Sequence, residues 1–399
     1  MIAKEWTMPR LICSVGRTAR LPQLALAFLL SFSPALTAQQ TVNDPDRVPP
    51  ALDHGWPVAS PSSVGLDPPA LDALARRIAE GQHGQIDAFL VIRNGKLVFE
   101  RYFGGYNPYT LHTLQSATKS VTSTLIGIAI DRGAIASVDK PIRDFFPEHR
   151  HLFDADSVKA AITLQHLLTM RMGQDWPESG VAYSGTNIVW ALENAYDWMG
   201  FALERPMAAR PGSVFNYSSA ASLLLSGIIQ NATGLKANVF AERYLFDPLG
   251  IPNYAWWRNM EHPDRWAHTG GGLHLMPRDF AKIGYLLING GKWHEKQIVS
   301  PAWIEAATKA RIKTVRSAVE SYGYQWWLRP IKKEGGPGTG SNDIVHAAGW
   351  GGQHMFVVPS LDMVVVFVSS NFTDRARDRG PVDMLYDVII PAVRRRPQE

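Results

Sequence analysis

A hydroxyl and an amine stand three positions apart in the segment Ser116-Ala117-Thr118-Lys119. The apolar run that follows, from Val121 to Ile130, predicts a helix, and residues three apart share a face near the first turn of such a helix. A buried lysine that has lost its proton can take one from a neighbouring serine hydroxyl. The segment therefore predicts Ser116 as a nucleophile and Lys119 as its general base.

The predicted helix explains why this serine would react. It is apolar almost all round, so we expect it to be central and buried. Lys119 would then be partly desolvated and close to the positive end of the helix dipole, and both effects disfavour its charged form. The alternative is an exposed serine at a helix start beside a solvated lysine, which is a common arrangement.

A second Ser-x-x-Lys match, Ser137-Val138-Asp139-Lys140, has a different context. It follows Gly133 and precedes Pro141, and no long apolar helix comes after it. Glycine and proline at such positions are typical of turns. We predict a turn without a chemical role.

Two later segments add chemistry. Tyr217-Ser218-Ser219 ends a Pro-Gly loop before a predicted helix, and a phenol held near a lysine can pass a proton to a leaving group. The run from Ala347 to Gln353 contains three glycines and precedes a strand, where a backbone amide can stabilise an oxyanion. The alternatives are a tyrosine packed at a helix start and a plain glycine-rich turn.

The elements that must position these residues predict an α+β fold. Apolar runs on either side of Asn94-Gly95 are the strongest short signal for a hairpin, and Met355–Val358 and Met363–Val368 are β-rich. Helical patches broken by Pro and Gly fill the chain between them. We expect an antiparallel sheet formed by both chain ends, flanked by helices, with a mostly helical inserted subdomain.

The chain length and the composition shifts predict the organisation that follows. Residues 1–38 are a signal peptide, 39–85 an N-terminal arm and first helix, and 86–399 the catalytic domain, with its sheet in 86–131 and 316–399 and its helical insertion in 132–315. Within the last part, we expect a flexible loop at Gly335–Gly340 and a closing helix at Val382–Val393.

The leader has a basic stretch ending at Arg20, an uncharged stretch from Leu21, and a small-residue site that ends at Ala38. This pattern predicts export to the periplasm or the medium, and an uncleaved membrane anchor is the alternative. The single cysteine, Cys13, lies in the leader. The mature chain is therefore expected to lack disulfides and thiol nucleophiles.

Charge and histidine spacing exclude several classes of protein. The formal charge of +4 comes mostly from the leader, and 36 basic and 35 acidic residues remain after it. We therefore expect no nucleic-acid partner and, once the leader is removed, no stable membrane association. His149-x-His151 and the segment His268–His274 lack a third ligand, so we expect no metal. The sequence carries no signal for a particular oligomeric state.

The order Ser-x-x-Lys, Tyr-x-Ser and glycine-rich strand start resembles that of the serine β-lactamase and D,D-peptidase superfamily. It is most similar to the class C-related serine hydrolases, which include family VIII esterases and 6-aminohexanoate-dimer hydrolases. The resemblance extends from about residue 86 to residue 370. Further similar segments are Leu167–Met170, Arg210–Tyr217, Gly270–Leu273, Pro277–Asp279 and Gln353–Pro359.

The resemblance implies a β-lactamase/transpeptidase-like fold and a role for each motif residue. Ser116 is the acylated nucleophile, Lys119 its general base, and Tyr217 an aid to proton transfer, without a cofactor. The backbone amides of Ser116 and Trp350 form the oxyanion hole. In an alternative register of the third motif, the amide of Gln353 replaces that of Trp350.

Two departures from the family pattern bear on the substrate. Neither register of the third motif carries the lysine of Lys-Thr-Gly that would bind a substrate carboxylate, and Ser219 stands where β-lactamases usually have asparagine. Both favour an esterase or amidase that acts on small, less anionic substrates. Trp176, Tyr183, Trp350 and Gly351 are expected to line the substrate pocket.

Two other functions remain open at this point. One is a β-lactamase, D,D-peptidase or D-aminopeptidase, and the other is a non-catalytic penicillin-binding-like sensor domain. An α/β-hydrolase is not expected, because the chain contains no G-x-S-x-G segment. The substrate is thus expected to be a small molecule with an ester or amide bond.

Overall fold

The computed structural model describes residues 44–53, 55–180, 185–259, 266–314, 320–332 and 343–394. The elements below all lie in the unit Pro45–Glu399. The predicted leader 1–38 and the predicted loop Gly335–Gly340 lie outside the described residues.

The strands of the main sheet come from two parts of the chain, residues 86–102 and 312–369, and five short strands lie between them in sequence. Their bounds are β1 Ile86–Arg93, β2 Lys96–Tyr102, β3 His112–Thr113, β4 Ala255–Trp256, β5 Leu273–Leu275, β6 Lys292–Trp293, β7 Lys296–Gln297, β8 Ile312–Lys313, β9 Ser321–Tyr322, β10 Trp327–Arg329, β11 Ile344–Gly349, β12 Gln353–Val358 and β13 Met363–Ser369. Eight of them form one antiparallel sheet in the order β2-β1-β13-β12-β11-β10-β9-β8. A small sheet β3-β5-β4 and the hairpin β6-β7 stand apart from it.

The helices lie mostly between the two groups of strands. Their bounds are α1 Pro68–Ala79, α2 Thr118–Asp131, α3 Arg150–Asp154, α4 Ser157–Ala160, α5 Leu164–Leu168, α6 Ile188–Glu193, α7 Trp198–Glu204, α8 Ser219–Thr233, α9 Ala237–Ala241, α10 Pro277–Ile288, α11 Pro301–Ala307, α12 Arg375–Asp378 and α13 Gly380–Met384. Among the described residues, no helix has the length and apolarity needed to cross a membrane. The predicted α+β fold, with its sheet built from both chain ends, is confirmed.

The predicted hairpin forms as β1 and β2. Asn94 and Gly95 have φ angles of 52° and 70°, the left-handed values that a tight hairpin turn needs. Strand β1 also pairs with β13, with Leu90 opposite Val366. Because the first strand lies beside the last, the two ends of the domain share one sheet.

Both faces of the sheet are buried, which explains the unbroken apolar runs of its central strands. Leu90 and Val366 belong to the core shared with α2, α8 and α10. The alternate residues Phe89 and Phe367 stack on each other within a second core that includes α1 and the C-terminal helices. The sheet is thus the middle layer, and the predicted nucleophile helix α2 lies on its first face.

Helix α2 is buried as expected, but its buried side chains include hydroxyls as well as the apolar groups on which the prediction rested. The hydroxyls of Ser120, Thr122 and Thr124 are buried in it. Ser120 donates to the carbonyl of Gln325 at 2.7 Å, and Thr122 to that of Thr269 at 2.9 Å. Buried hydroxyls need such partners, so these bonds fix α2 against two loops that surround its first turns.

Helix α10 is anchored to the sheet by a buried ion pair. The guanidinium of Arg278, in its first turn, donates to the carboxylate of Glu100 on β2, with Nε 2.8 Å from Oε2. The hydroxyl of Tyr102 donates to the same carboxylate at 3.0 Å, and burial raises the pKa of this phenol. The Pro-Arg-Asp segment at 277–279 therefore has a structural role in joining α10 to β2.

The predicted closing helix at Val382–Val393 is shorter than expected. Helix α13 ends at Met384, and a π-helical turn, Leu385–Ile389, follows it. Pro391 stands just beyond this turn, and proline cannot supply the amide that a continuing helix needs.

A buried histidine pair lies on β11 and β12. Nε2 of His346 is 2.7 Å from Nδ1 of His354, and Nε2 of His354 is 2.9 Å from the carbonyl oxygen of Asp378. Both rings stack with Phe356. Since the carbonyl can only accept, His354 donates from Nε2 and accepts at Nδ1, as a neutral imidazole does.

This pair predicts a loss of stability in acid. Burial lowers the pKa of His354 from its usual 6.5 to about 4. Between these values the unfolded chain binds a proton that the folded chain does not, so the free energy of unfolding falls as pH falls, by on the order of 3 kcal/mol in total. Urea unfolding at several pH values measures this. His354→Gln should flatten the dependence between pH 6.5 and 4, and the exposed control His151→Gln should not; equal slopes would contradict the assignment.

Candidate active site

Ser116 lies in a tight turn just before α2. The turn is a 3₁₀ segment, Gln115–Ala117, and Gln115 has a φ of 46°, a left-handed value unusual for a residue with a side chain. The amide group of Gln115 donates to the hydroxyl of Thr113 at 3.1 Å. Ser116 itself is half-buried, so this constrained turn presents its hydroxyl at the edge of the core.

Lys119 is in the first turn of α2 and is 1% exposed. Its Nζ contacts three oxygens, at 3.2 Å from Oγ of Ser116, 3.2 Å from Oγ of Ser219 and 2.5 Å from the carbonyl oxygen of Gly270. The solvated lysine of the alternative interpretation is therefore not observed. The amine is within proton-transfer distance of the Ser116 hydroxyl.

Tyr217 lies in the loop before α8 and is 7% exposed. The centre of its ring is 5.1 Å from Nζ of Lys119, and the ring stacks on Trp327 at 5.6 Å. The structure thus brings the hydroxyl of residue 116, the amine of residue 119 and the aromatic ring of residue 217 together. Their roles in a reaction remain predictions.

The start of α8 is held by a residue that the sequence interpretation did not identify. The carboxylate of Glu178 accepts from the backbone amide of Ser219 at 2.6 Å and from its hydroxyl at 2.8 Å. The indole of Trp176 donates to the same carboxylate at 2.8 Å. Residues 178 and 219 are 41 positions apart, and no motif links them, so only the fold reveals this contact.

The loop that carries Gly270 is fixed from several sides. Thr269 donates to the carbonyl of Ser222 at 2.7 Å. The neighbouring His268 is 2% exposed, stacks on Trp257 at 4.9 Å, and lies 3.2 Å from the carboxylate of Glu193. Because the loop is anchored in this way, the carbonyl of Gly270 is held against the Lys119 amine.

Strand β11 ends against the nucleophile turn at Gly349. A side chain at this position would place its Cβ 2.2 Å from the carbonyl oxygen of Leu114 and 3.0 Å from Cβ of Gln115. Only glycine allows this approach. Trp350 follows directly, and Gln353 is paired across from Gly349 on β12. The backbone amide of Trp350 is therefore the first one after the strand end that contacts the turn.

The predicted pocket residues have different surroundings. Trp176 is 2% exposed and contributes its indole to Glu178, whereas Trp350 is 40% exposed and packs edge-on against Phe372. Gly351 has a φ of 84° beside the same phenylalanine ring. Tyr183 lies outside the described residues. Trp350 thus has a partly exposed indole and directly follows the residue that contacts the nucleophile turn.

The second Ser-x-x-Lys match is an exposed turn, as predicted. Ser137 accepts from the amide of Asp139 at 3.2 Å, and Lys140 pairs with Asp144 at 2.9 Å. This lysine therefore points to a surface carboxylate and contrasts with the buried Lys119.

Known proteins are similar to this chain over most of its length. The beta-lactamase family model matches residues 71–386. A 6-aminohexanoate-dimer hydrolase of Paenarthrobacter ureafaciens is 26% identical over 318 residues, covering 75% of this chain and 77% of the relative.

Solved structures share the fold. A class C beta lactamase from Rhodobacter sphaeroides has a TM-score of 0.60 at 19% identity, covering 80% of this chain and 99% of its own. A family VIII carboxylesterase has a TM-score of 0.59 at 18% identity, covering 81% and 96%. The resemblance drawn from the motifs, and the β-lactamase/transpeptidase-like fold that it implied, are confirmed.

Proposed function

The chain belongs to the beta-lactamase family and is a serine hydrolase, and from this premise we propose that it cleaves ester or amide bonds of small substrates through an acyl-enzyme on Ser116. One observation carries the proposal. The Lys119 amine is buried and 3.2 Å from the Ser116 hydroxyl, which is itself only half-buried. A base shielded from water thus contacts a hydroxyl that a substrate can reach.

The reaction follows from this arrangement. Oγ of Ser116 attacks the substrate carbonyl carbon while its proton passes to Nζ of Lys119. The amides of Ser116 and Trp350 stabilise the oxyanion of the tetrahedral intermediate. Lys119, with Tyr217 beside it, returns the proton to the leaving alcohol or amine, and the acyl-enzyme forms. Water then attacks the acyl group while one of its protons passes to Lys119. Lys119 returns that proton to Oγ of Ser116 as the acid leaves.

The substrate preference is argued from what the third motif lacks. Strand β11 has Ala347 where β-lactamases of the superfamily usually carry the lysine that binds a carboxylate. The relative from Paenarthrobacter ureafaciens is a 6-aminohexanoate-dimer hydrolase, and a dimer of an amino acid is joined by an amide bond. Both favour esters and linear amides over penicillins.

A substrate panel tests this proposal. The purified protein is assayed with p-nitrophenyl acetate and butyrate, the linear 6-aminohexanoate dimer and nitrocefin. We expect kcat/KM for an ester or the amide to exceed that for nitrocefin by at least about tenfold. This ratio corresponds to a difference of about 1.4 kcal/mol in transition-state stabilisation. Mass spectrometry after fluorophosphonate treatment should find the adduct on Ser116. Faster nitrocefin turnover would indicate a β-lactamase, and binding without turnover of any substrate would indicate a sensor domain.

A further inference from the structure

Within the described part of the chain, three donors fix the carboxylate of Glu178. The Ser219 amide and the Trp176 indole both donate to Oε2, at 2.6 and 2.8 Å, and the Ser219 hydroxyl donates to Oε1 at 2.8 Å. Ser219 is the first residue of α8, a helix of 15 residues, so its amide lies at the positive end of the helix dipole. An ionised carboxylate accepts at both oxygens and donates at neither.

These contacts set the direction of the hydrogen bonds around Lys119. The Ser219 hydroxyl has one proton, which it donates in the hydrogen bond to Glu178. Oγ of Ser219 can therefore only accept from Nζ of Lys119. The carbonyl of Gly270, 2.5 Å from the same Nζ, can also only accept. Of the three oxygens that the described residues place around the amine, two are therefore obligatory acceptors.

A neutral lysine amine has two N–H donors and one lone pair. If both donors are used by Ser219 and Gly270, the lone pair is directed at the remaining neighbour, the Ser116 hydroxyl at 3.2 Å. That is the orientation in which the amine accepts the serine proton. If the Ser219 hydroxyl were free to rotate, it could instead donate to the lone pair of Lys119 and so compete with the Ser116 hydroxyl.

We propose that Glu178 is a positioning residue that acts through Ser219 to orient the lone pair of Lys119 towards Ser116. It touches neither reacting atom. The inference rests on the proposed function, because it assigns a purpose to Lys119 as a base. It also explains how a serine serves at the place where β-lactamases usually carry asparagine.

Glu178→Gln tests the direction of the hydrogen bonds while keeping the shape. If the side-chain oxygen of the glutamine keeps the two N–H donors, its NH2 group faces the Ser219 hydroxyl and donates to it. The hydroxyl proton of Ser219 then turns towards Lys119. We expect kcat for the best ester to fall by about 10- to 100-fold, part of the 100- to 10,000-fold that a positioned base supplies. KM should stay within about twofold, because Glu178 does not contact the substrate. The rate of fluorophosphonate labelling should fall with kcat/KM.

A double-mutant cycle separates positioning from simple support of the loop. Ser219→Ala removes the hydroxyl through which Glu178 acts, so it should lower kcat to a similar degree, and adding Glu178→Gln should then cost less than about twofold. If Glu178 only anchors the loop through the Ser219 amide and Trp176, its full cost would persist in the Ser219→Ala background. That result, or wild-type kcat in either single variant, would overturn the inference.

The control is Asp156→Asn, which makes the same carboxylate-to-amide change at the start of α4, where Asp156 accepts from two backbone amides. It should alter Tm without altering kcat. If Glu178→Gln proves too unstable to assay, wild-type kcat in Ser219→Ala still overturns the inference, because Glu178 is proposed to act through that hydroxyl. A wild-type protein that neither turns over esters nor labels at Ser116 would refute the proposed function itself, whereas an active wild type with an unaffected Glu178→Gln variant would refute only the inference.

Discussion

Replacement of Ser116 by alanine is expected to lower the hydrolysis of the preferred ester by at least about 1,000-fold, because the loss of a nucleophile removes the covalent route altogether. Fold and stability should change little, since Ser116 is half-buried in a turn and caps no helix. Steady-state kinetics and fluorophosphonate labelling measure the effect. Labelling should vanish together with turnover.

The chain provides a matched control in its second Ser-x-x-Lys segment. Ser137 is exposed, and its lysine neighbour pairs with a surface aspartate. Ser137→Ala should keep wild-type kcat and labelling. Turnover that survives in Ser116→Ala but is lost in Ser137→Ala would reverse the assignment of the two motifs, and turnover that survives in both would place the nucleophile elsewhere.

Local patterns were sufficient to predict much of the frame. The Asn-Gly turn sets the hairpin of β1 and β2, because left-handed φ angles at two adjacent residues are accessible mainly to these residue types. The context of each Ser-x-x-Lys segment separated a buried helix start from an exposed turn. Both signals lie within about 15 residues of chain, so the sequence displays them directly.

The arrangement around the lysine was not predictable in the same way. Glu178 reaches Ser219 over 41 positions, and the Gly270 carbonyl reaches Lys119 over 151. Glu178 lies between α5 and α6 with no periodic pattern to fix its direction. Every residue has a backbone carbonyl oxygen, so the sequence does not show which of them contacts Lys119. Such contacts depend on how loops close over a finished core, which local propensity does not encode.

The burial of α2 illustrates a partial success. Its apolar residues led to the correct prediction of a central helix, but Ser120, Thr122 and Thr124 are buried as well. Their hydroxyls bind backbone carbonyls of the surrounding loops and of the helix itself, at 2.7 to 3.2 Å. Small hydroxyls can be buried when acceptors are available, and here the acceptors lie partly on the loops that carry the site.

The third motif carries the second prediction with a large effect. Gly349→Ala would place a Cβ 2.2 Å from the carbonyl oxygen of Leu114, so either β11 or the nucleophile turn must move. We expect kcat to fall by about 100- to 1,000-fold, the usual cost of losing one oxyanion donor. Stability should fall by about 1–3 kcal/mol, as for other overpacked sites. Ester kinetics and urea unfolding measure the two effects separately.

Gly291→Ala is the control for destabilisation alone. Its Cβ would lie 1.9 Å from the carbonyl oxygen of Val299, at the base of the small hairpin β6-β7. It should be at least as destabilising as Gly349→Ala, yet its kcat should stay near that of the wild type. Equal losses of kcat in the two variants would mean that the effect at Gly349 reports instability and not the position of the oxyanion hole.

The same strand end leads us to expect the Trp350 register of the third motif, and a crystal structure can test it. Gly349 touches the residues just before Ser116, and the amide of Trp350 is the first one after the end of β11. Gln353 lies on β12, one strand further into the sheet. A crystal structure of the phosphonate adduct on Ser116 should therefore place the phosphoryl oxygen about 2.7–3.1 Å from the amides of Ser116 and Trp350. An oxygen bound by Gln353 instead would establish the alternative register. In that case the loss in Gly349→Ala would arise through displacement of the hairpin as a whole, since Cβ of Gln353 lies 3.0 Å from the new methyl group.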